Sequence, residues 1–95
     1  MRLKLLWMRW MMSASKQMTI TTTPQLVGSV LTGSTSIWVH AGGTIYFGGD
    51  NTVSSSNGFR LDNNDKFGTI IPKGNEVWAV TNTGSATLYV LTTTI

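Results

Sequence analysis

Few side chains of this protein have the chemistry of a catalytic or metal-binding group. His40 is the single histidine, the only acids are Asp50, Asp62, Asp65 and Glu76, and cysteine is absent. Without cysteine, a thiolate zinc site and a disulfide framework are both excluded. A catalytic dyad would need a Ser or Asp beside the imidazole in space, and we interpret His40 instead as a structural or surface residue. The sequence predicts no enzyme, no metal site and no cofactor.

The one local pair of acids lies in the run Asp62–Asp65 (DNND). Paired carboxylates about 5–9.5 Å apart hydrolyse glycosides, and alternating oxygen ligands surround calcium in a loop. The calcium loop also needs Gly at its sixth position and Glu at its twelfth, where this chain has Phe67 and Lys73. The Gly42-Gly43 and Gly48-Gly49 pairs match neither GxGxxG nor a P-loop. We interpret all three runs as turns between strands.

The formal charge of +3 is unevenly distributed along the chain. Residues 1–17 contain four bases and no acid, whereas residues 18–95 contain three bases and four acids, a net charge of −1. Affinity for phosphate backbones depends on clustered Lys and Arg. Nucleic acid is therefore not an expected partner of the larger part.

Residues 1–17 (MRLKLLWMRWMMSASKQ) also differ in composition from the rest. Helical spacing of apolar residues from Leu3 to Ala14 would give a basic amphipathic helix, able to lie on a membrane or a partner. The segment could instead be a secretory signal interrupted by Arg9, a disordered arm, or an extension upstream of a translation start at Met18. A transmembrane span needs about 20 apolar residues and is excluded. We predict a basic apolar extension over residues 1–17, a folded domain over residues 18–95, and no membrane partner.

From residue 18 onward, frequent Thr, Gly and Asn indicate short strands joined by tight turns. The predicted strands are Thr19–Thr23, Gln25–Leu31, Ser36–His40, Thr44–Phe47, Phe59–Leu61, Phe67–Ile71, Glu76–Thr81 and Ala86–Thr93. About six to eight short strands in one small domain predict an all-β class, with an antiparallel β-sandwich or barrel. A short helical or disordered N-terminal segment would precede it.

Two hairpins are predicted from turn residues. The turn at residues 41–43 would join Ser36–His40 to Thr44–Phe47, and the turn at residues 82–85 would join the last two strands. In the second hairpin, Val77 and Ala79 would pair with Val90 and Leu88 on a core face, and Trp78 would pair with Tyr89 on the other. That second face is also apolar, so we expect another sheet or a neighbouring subunit to cover it. Within the polar run of residues 48–58, Val53 is the one residue able to anchor the loop.

A domain of this size has a small core, and no disulfide compensates for it. Weakly charged, Thr-rich strands also protect sheet edges poorly. Both features predict a homo-oligomer or docking on a larger assembly. The aromatic candidates for interface or core positions are Trp38, Tyr46, Trp78 and Tyr89. The candidates for ligand binding through the polar loop are Asp50, Asn51 and Asn57.

A family resemblance lies within residues 45–91, about half of the chain, in the stretches IYFGGDNTVSSSNGFRL and IIPKGNEVWAVTNTGSATLYVL. Their Gly-Gly turn, V-x-x-x-N-G run and T-x-x-G-x-A hairpin resemble small all-β virion proteins of tailed phages. The resemblance implies a noncatalytic structural role as a capsid-decoration, head-fibre or neck/tail-associated protein, located in the virion with capsid or tail proteins as partners. The alternative is a carbohydrate- or receptor-binding β-module, in which exposed aromatics stack on sugars.

Overall fold

The computed structural model describes residues 13–29 and 35–94 of the chain. Those residues contain eight strands and no helix. The strands are β1 (Ser13–Ile20), β2 (Gln25–Ser29), β3 (Thr35–Gly42), β4 (Ile45–Gly48), β5 (Phe59–Leu61), β6 (Lys66–Ile71), β7 (Glu76–Val80) and β8 (Ala86–Thr94). The all-β class and the predicted number of strands are confirmed.

The strands form two antiparallel sheets of four strands each. Sheet A has the order β1-β8-β3-β6, and sheet B has the order β2-β7-β4-β5. Along the chain, β4 and β5 are the one consecutive pair that shares a sheet. All other connections between the described strands cross from one sheet to the other. This topology is that of an eight-stranded jelly roll, which places the chain among the sandwiches.

The core lies between the sheets and contains alternate residues of both. Ile37, Val39 and Ala41 of β3 point inward, whereas Trp38 and His40 between them are more exposed. The cluster between the sheets consists of Ile20, Val27, Ile37, Val39, Ala41, Ile45, Leu61, Ile71, Ala79, Leu88 and Val90. Burying a Val, Leu or Ile side chain stabilises the fold by about 1.5–3 kcal/mol. The period-2 pattern of the sequence thus becomes the inner face of each sheet.

Both predicted hairpins are wrong. The strand β3 pairs with β6 and β8 in sheet A, whereas β4 pairs with β5 and β7 in sheet B. Likewise β7 pairs with β2 and β4, and β8 pairs with β1 and β3. Ala79 and Leu88 still meet in one core cluster, but from opposite sheets. The turn residues were identified, but each of these turns connects strands of different sheets and not two strands that pair in one sheet.

The predicted boundary between residues 17 and 18 falls inside β1. Residues 13–17 continue the strand and pair with β8, from Ser13 opposite Thr93 to Gln17 opposite Tyr89. The helical interpretation is therefore wrong for Ala14, which lies opposite Thr92. Residues 1–12, on which the rest of that prediction falls, lie outside the described residues.

Three crossings between the sheets meet at Thr81, at the start of the β7–β8 connection. Its amide donates a hydrogen bond to the carbonyl of Thr21 (3.0 Å), and its hydroxyl donates to the carbonyl of Thr44 (2.9 Å). Thr21 follows β1 and Thr44 precedes β4, so the backbone and the side chain of this one residue together link three connections. Thr81 is only 5% exposed, and its hydroxyl is hydrogen-bonded as a buried polar group requires.

Candidate functional site

The outer face of sheet A carries large apolar side chains that the described residues leave open to solvent. Trp38 of β3 is 55% exposed and Ile70 of β6 is 57% exposed, while Tyr89 and Leu91 of β8 are 43% and 42% exposed. They all lie on the side of the sheet opposite the core, because successive side chains of a strand point to opposite faces and each of the four is next to a buried core residue of its own strand. These four residues and His40 are called the Trp38 face below.

The register of sheet A brings the Trp38 face together. Trp38 lies between Leu91 on one side and Gly68 on the other. The indole packs flat on the glycine, because a Cβ atom built on Gly68 would collide with the Trp38 ring. An aromatic side chain over a strand glycine shields the backbone there. The position of the indole is therefore fixed by its packing on Gly68, and its outer surface is exposed.

His40 occupies the next row of the same face. It lies between Tyr89 of β8 and Lys66 of β6, and its ring centroid is 5.4 Å from that of Tyr89. Its Nε2 atom is buried without a hydrogen-bond partner among the described residues. The row contains no carboxylate, and no group of three or more acidic or histidine side chains in the described chain could hold a metal ion. The imidazole forms part of the outer face of sheet A.

A shallow depression of about 640 Å³ runs along this face beside β1. Its walls include Ser15 and Gln17 of β1 as well as Trp38, His40 and Tyr89. Its lining is more apolar than polar. The depression is open along its length, so it fits an extended or flat partner better than an enclosed small ligand.

The outer face of sheet B is different because the chain covers it. Tyr46 of β4 and Val80 of β7 are 7% and 5% exposed, and both pack with Val53 of the β4–β5 loop. Trp78 packs against the same cluster and donates its indole N–H to Glu76 (2.9 Å). The apolar second face predicted for β7 is thus covered by a loop of its own chain, with Val53 as the anchor.

Hydrogen bonds within the β4–β5 loop fix its shape. One carboxylate oxygen of Asp50 accepts from the amide (2.9 Å) and the hydroxyl (2.5 Å) of Thr52. These bonds lower the pKa of Asp50, the hydroxyl bond most. The side chain of Asn57 accepts from the amide of Ser54 and donates to the carbonyl of Thr52.

The three predicted ligand-binding residues therefore differ in their surroundings. All three are exposed, and the side chains of Asp50 and Asn57 also form hydrogen bonds within their own loop. Their binding of a ligand stays a prediction.

At the two sides of the sandwich, where the edge strands of sheets A and B face each other, different contacts bridge the two sheets. Where β1 faces β2, Lys16 points across the gap and its ammonium donates to the carbonyl of Val27 (2.9 Å). Where β6 faces β5, the rings of Phe67 and Phe59 meet with centroids 5.0 Å apart. Both rings remain about half exposed, at 41% and 54%. One side thus presents a charge and the other an apolar strip.

The four predicted aromatics separate into two pairs. Trp38 and Tyr89 lie together on the exposed outer face of sheet A, and Tyr46 and Trp78 lie together under the loop on sheet B. The sequence interpretation missed Leu91 and Ile70, which complete the Trp38 face. Their alternation with Val90 and Ile71 was a usable signal, because both buried neighbours belong to the core. It also missed the Phe59–Phe67 contact, which joins strands of different sheets.

Neither a known protein family nor a curated protein sequence matches this chain. Two solved structures share its fold. A de novo designed double-stranded β-helix, solved by solution NMR, has a TM-score of 0.53 and 10% identity, over 82% of this chain and 95% of that one. A protein from the disulfide-linked pili of Bacillus endospore appendages has a TM-score of 0.59 and 9% identity, over 88% and 86%. At such identities the likeness establishes the fold alone.

Two further observations bear on how the chain could associate. It contains no cysteine, so the disulfide linkage named for the pilus is chemically impossible for it. No helix among residues 13–29 and 35–94 has the length and apolar character needed to cross a bilayer.

Proposed function

We propose that this protein is a noncatalytic structural component of a virion, which docks on a phage capsid or tail through exposed strand faces and edges. The observation that carries the proposal is the Trp38 face. Trp and Tyr are the residues that most often dominate binding energy when a partner covers them. On this face Trp38 is held in place by Gly68 and already ordered, so little side-chain entropy is lost on docking.

The surroundings of the face support contact with a protein surface. Lys66 and Gln17 flank the aromatic row and would form a polar rim around an apolar centre. The resemblance of residues 45–91 to small virion proteins supplies the capsid or tail as the partner. The two structural neighbours bear on the fold, and the proposal does not depend on them.

Co-sedimentation with purified particles of the encoding phage tests this function. The wild-type chain should sediment with capsids or tails, and Trp38→Ala should reduce the bound fraction at least about tenfold, as for a hot-spot residue. Thr83→Ala, at an exposed position of the β7–β8 connection, is the matched control and should bind as the wild type does. A wild-type chain that stays in the supernatant at saturating particle concentrations would overturn the proposal.

The alternative function, a carbohydrate- or receptor-binding module, is favoured by one observation on the same face. Trp38, Tyr89 and His40 line the open depression, and exposed aromatic rings stack on sugar rings. A glycan array decides between the functions. Binding that Trp38→Ala abolishes would support this alternative, and an array without signal would eliminate it.

A further inference from the structure

Three of the four edge strands carry features that discourage pairing with another chain. In β1, Lys16 points inward from the edge, and in β2 the register shifts at a bulge between Leu26 and Gly28. The edge strand β5 has only three residues, and its central Arg60 forms an ion pair with Asp62 (2.8 Å). Inward charges, bulges, short length and edge charges are the known protections of sheet edges.

The fourth edge strand, β6, lacks these protections. Its register with β3 is unbroken over six residues, and only its first residue, Lys66, is charged. Exposed apolar side chains flank it on both sides, since Ile70 points outward and Phe67 points toward Phe59. An exposed apolar edge strand without a bulge or a central charge is a template for another strand.

The free backbone groups of β6 follow from its pairing with β3. The Ala41 amide donates to the Asp65 carbonyl (2.9 Å), so this pair is hydrogen-bonded. Hydrogen-bonded and non-hydrogen-bonded pairs alternate along an antiparallel ladder. The backbone N–H and C=O groups of Phe67, Thr69 and Ile71 are therefore directed to β3. The N–H and C=O groups of Lys66, Gly68 and Ile70 are then directed to the free edge.

We propose that β6 pairs with β6 of a second copy of this chain, antiparallel about a two-fold axis at Thr69. Gly68 then lies opposite Ile70 of the second copy, and each of these two symmetric pairs exchanges both of its backbone hydrogen bonds. The inference deepens the proposed structural role and rests on it, because it names the edge and the partner of one docking contact.

Charge is the observation that selects a second copy as the occupant. The exposed Asp65 lies just before β6, and the exposed Lys73 lies just after it. In the two-fold arrangement the turn at residues 72–75, which carries Lys73, lies at the end of β6 near Asp65 of the other copy, so opposite charges approach each other at both ends of the paired strands. The pairing also brings Phe67 of one copy beside Ile71 of the other, which would cover the half-exposed Phe59–Phe67 strip.

Sedimentation equilibrium on the full-length chain over a concentration series tests this inference. The wild type should dimerise. Ile70→Pro should raise the dimer Kd at least about tenfold, because it removes the edge-directed N–H of Ile70 from both copies. The bonds of β6 to β3 come from its neighbours, so the variant should keep the wild-type circular dichroism spectrum.

A second variant tests the charge contact without touching the strand. Lys73→Glu should raise the dimer Kd about three- to tenfold at low salt, and the effect should fade as salt is added. Lys73→Arg is the matched control and should leave the dimer Kd unchanged.

The outcomes separate this inference from the proposed function. A monomeric wild type would overturn the edge assignment, and so would a dimer that neither Ile70→Pro nor Lys73→Glu weakens. Either result counts whether or not the wild type sediments with capsids or tails. A dimer weakened by both variants supports the edge assignment, even when the wild type fails to sediment with capsids or tails. Thr83→Ala, at an exposed position of the β7–β8 connection, should leave the dimer intact.

Discussion

The two outer faces of the sandwich each carry a pair of aromatic side chains, yet only one face is covered. On sheet B, Val53 and its loop shield Tyr46, which is 7% exposed. On sheet A, the indole of Trp38 rests on Gly68 but is 55% exposed. Aromatic content therefore does not distinguish a covered face from an exposed one in this protein. The two faces differ because an ordered loop covers the outer face of sheet B.

Truncating one aromatic side chain on each face is the strongest test of this difference between the two faces. Tyr46→Ala should lower the free energy of unfolding by about 3–5 kcal/mol, as for a buried aromatic residue, while Trp38→Ala should lower it by less than about 1 kcal/mol. Urea denaturation followed by circular dichroism measures both. Equal losses would mean that Trp38 is a structural residue, and the case for a docking face would fail.

Removing the loop anchor tests why the sheet B face is closed. Val53→Ala should lower the free energy of unfolding by about 1.5–3 kcal/mol, because the side chain is 5% exposed and contacts Tyr46 and Val80. Ser55→Ala, in the same loop and exposed, should change it by less than about 0.5 kcal/mol. Urea denaturation of the two variants gives the difference. A neutral Val53→Ala would show that the loop does not hold its cover through this side chain.

A pair of N-terminal deletions tests how far β1 belongs to sheet A. Deleting residues 2–17 removes the β1 pairs from Ser13 to Gln17 and the Lys16–Val27 hydrogen bond, so stability should fall by about 1–3 kcal/mol. Deleting residues 2–12 leaves those contacts in place and serves as the control. Thermal unfolding of both against the full chain is the measurement. Identical melting temperatures for the two deletions would contradict the described extent of β1.

The smallest expected effect is a loosening of the sheet B cover in acid. Hydrogen bonds from Thr52 lower the pKa of Asp50 in the folded protein, so their stabilisation is present above the unfolded pKa and is lost as pH falls through the folded value. The protection of the amides in residues 50–54, measured against their intrinsic exchange rates at each pH, should therefore fall below about pH 4. Asp50→Asn should flatten this pH dependence. An unchanged dependence in Asp50→Asn would assign it to another group.

The strands could be predicted from the sequence because alternation is local. Ile37 and Val39 against Trp38 and His40 define a strand and its inner face with no further information. Partners could not be predicted in the same way. Whether Ala79 and Leu88 lie side by side in one sheet or face each other across the core, both are buried, so the same pattern fits either topology.

The candidate site was predictable only in part, for the same physical reason. Trp38 and Tyr89 stand out as large aromatics, but their exposure depends on what covers each sheet. That cover comes from Val53, which lies far from β7 in sequence and reaches it only in the folded chain. The unprotected edge of β6 likewise becomes visible only when the order of the strands is known.

The central place of β8 in sheet A has a consequence for how the protein is made. Among the described strands, β1 pairs with β8 alone, and β3 pairs with both β8 and β6. During synthesis β1 therefore stays unpaired until β8 has been translated. Contacts so distant in sequence slow folding and leave strands exposed to aggregation in the meantime. We expect yield in expression to depend on temperature and on chaperones more than final stability would suggest.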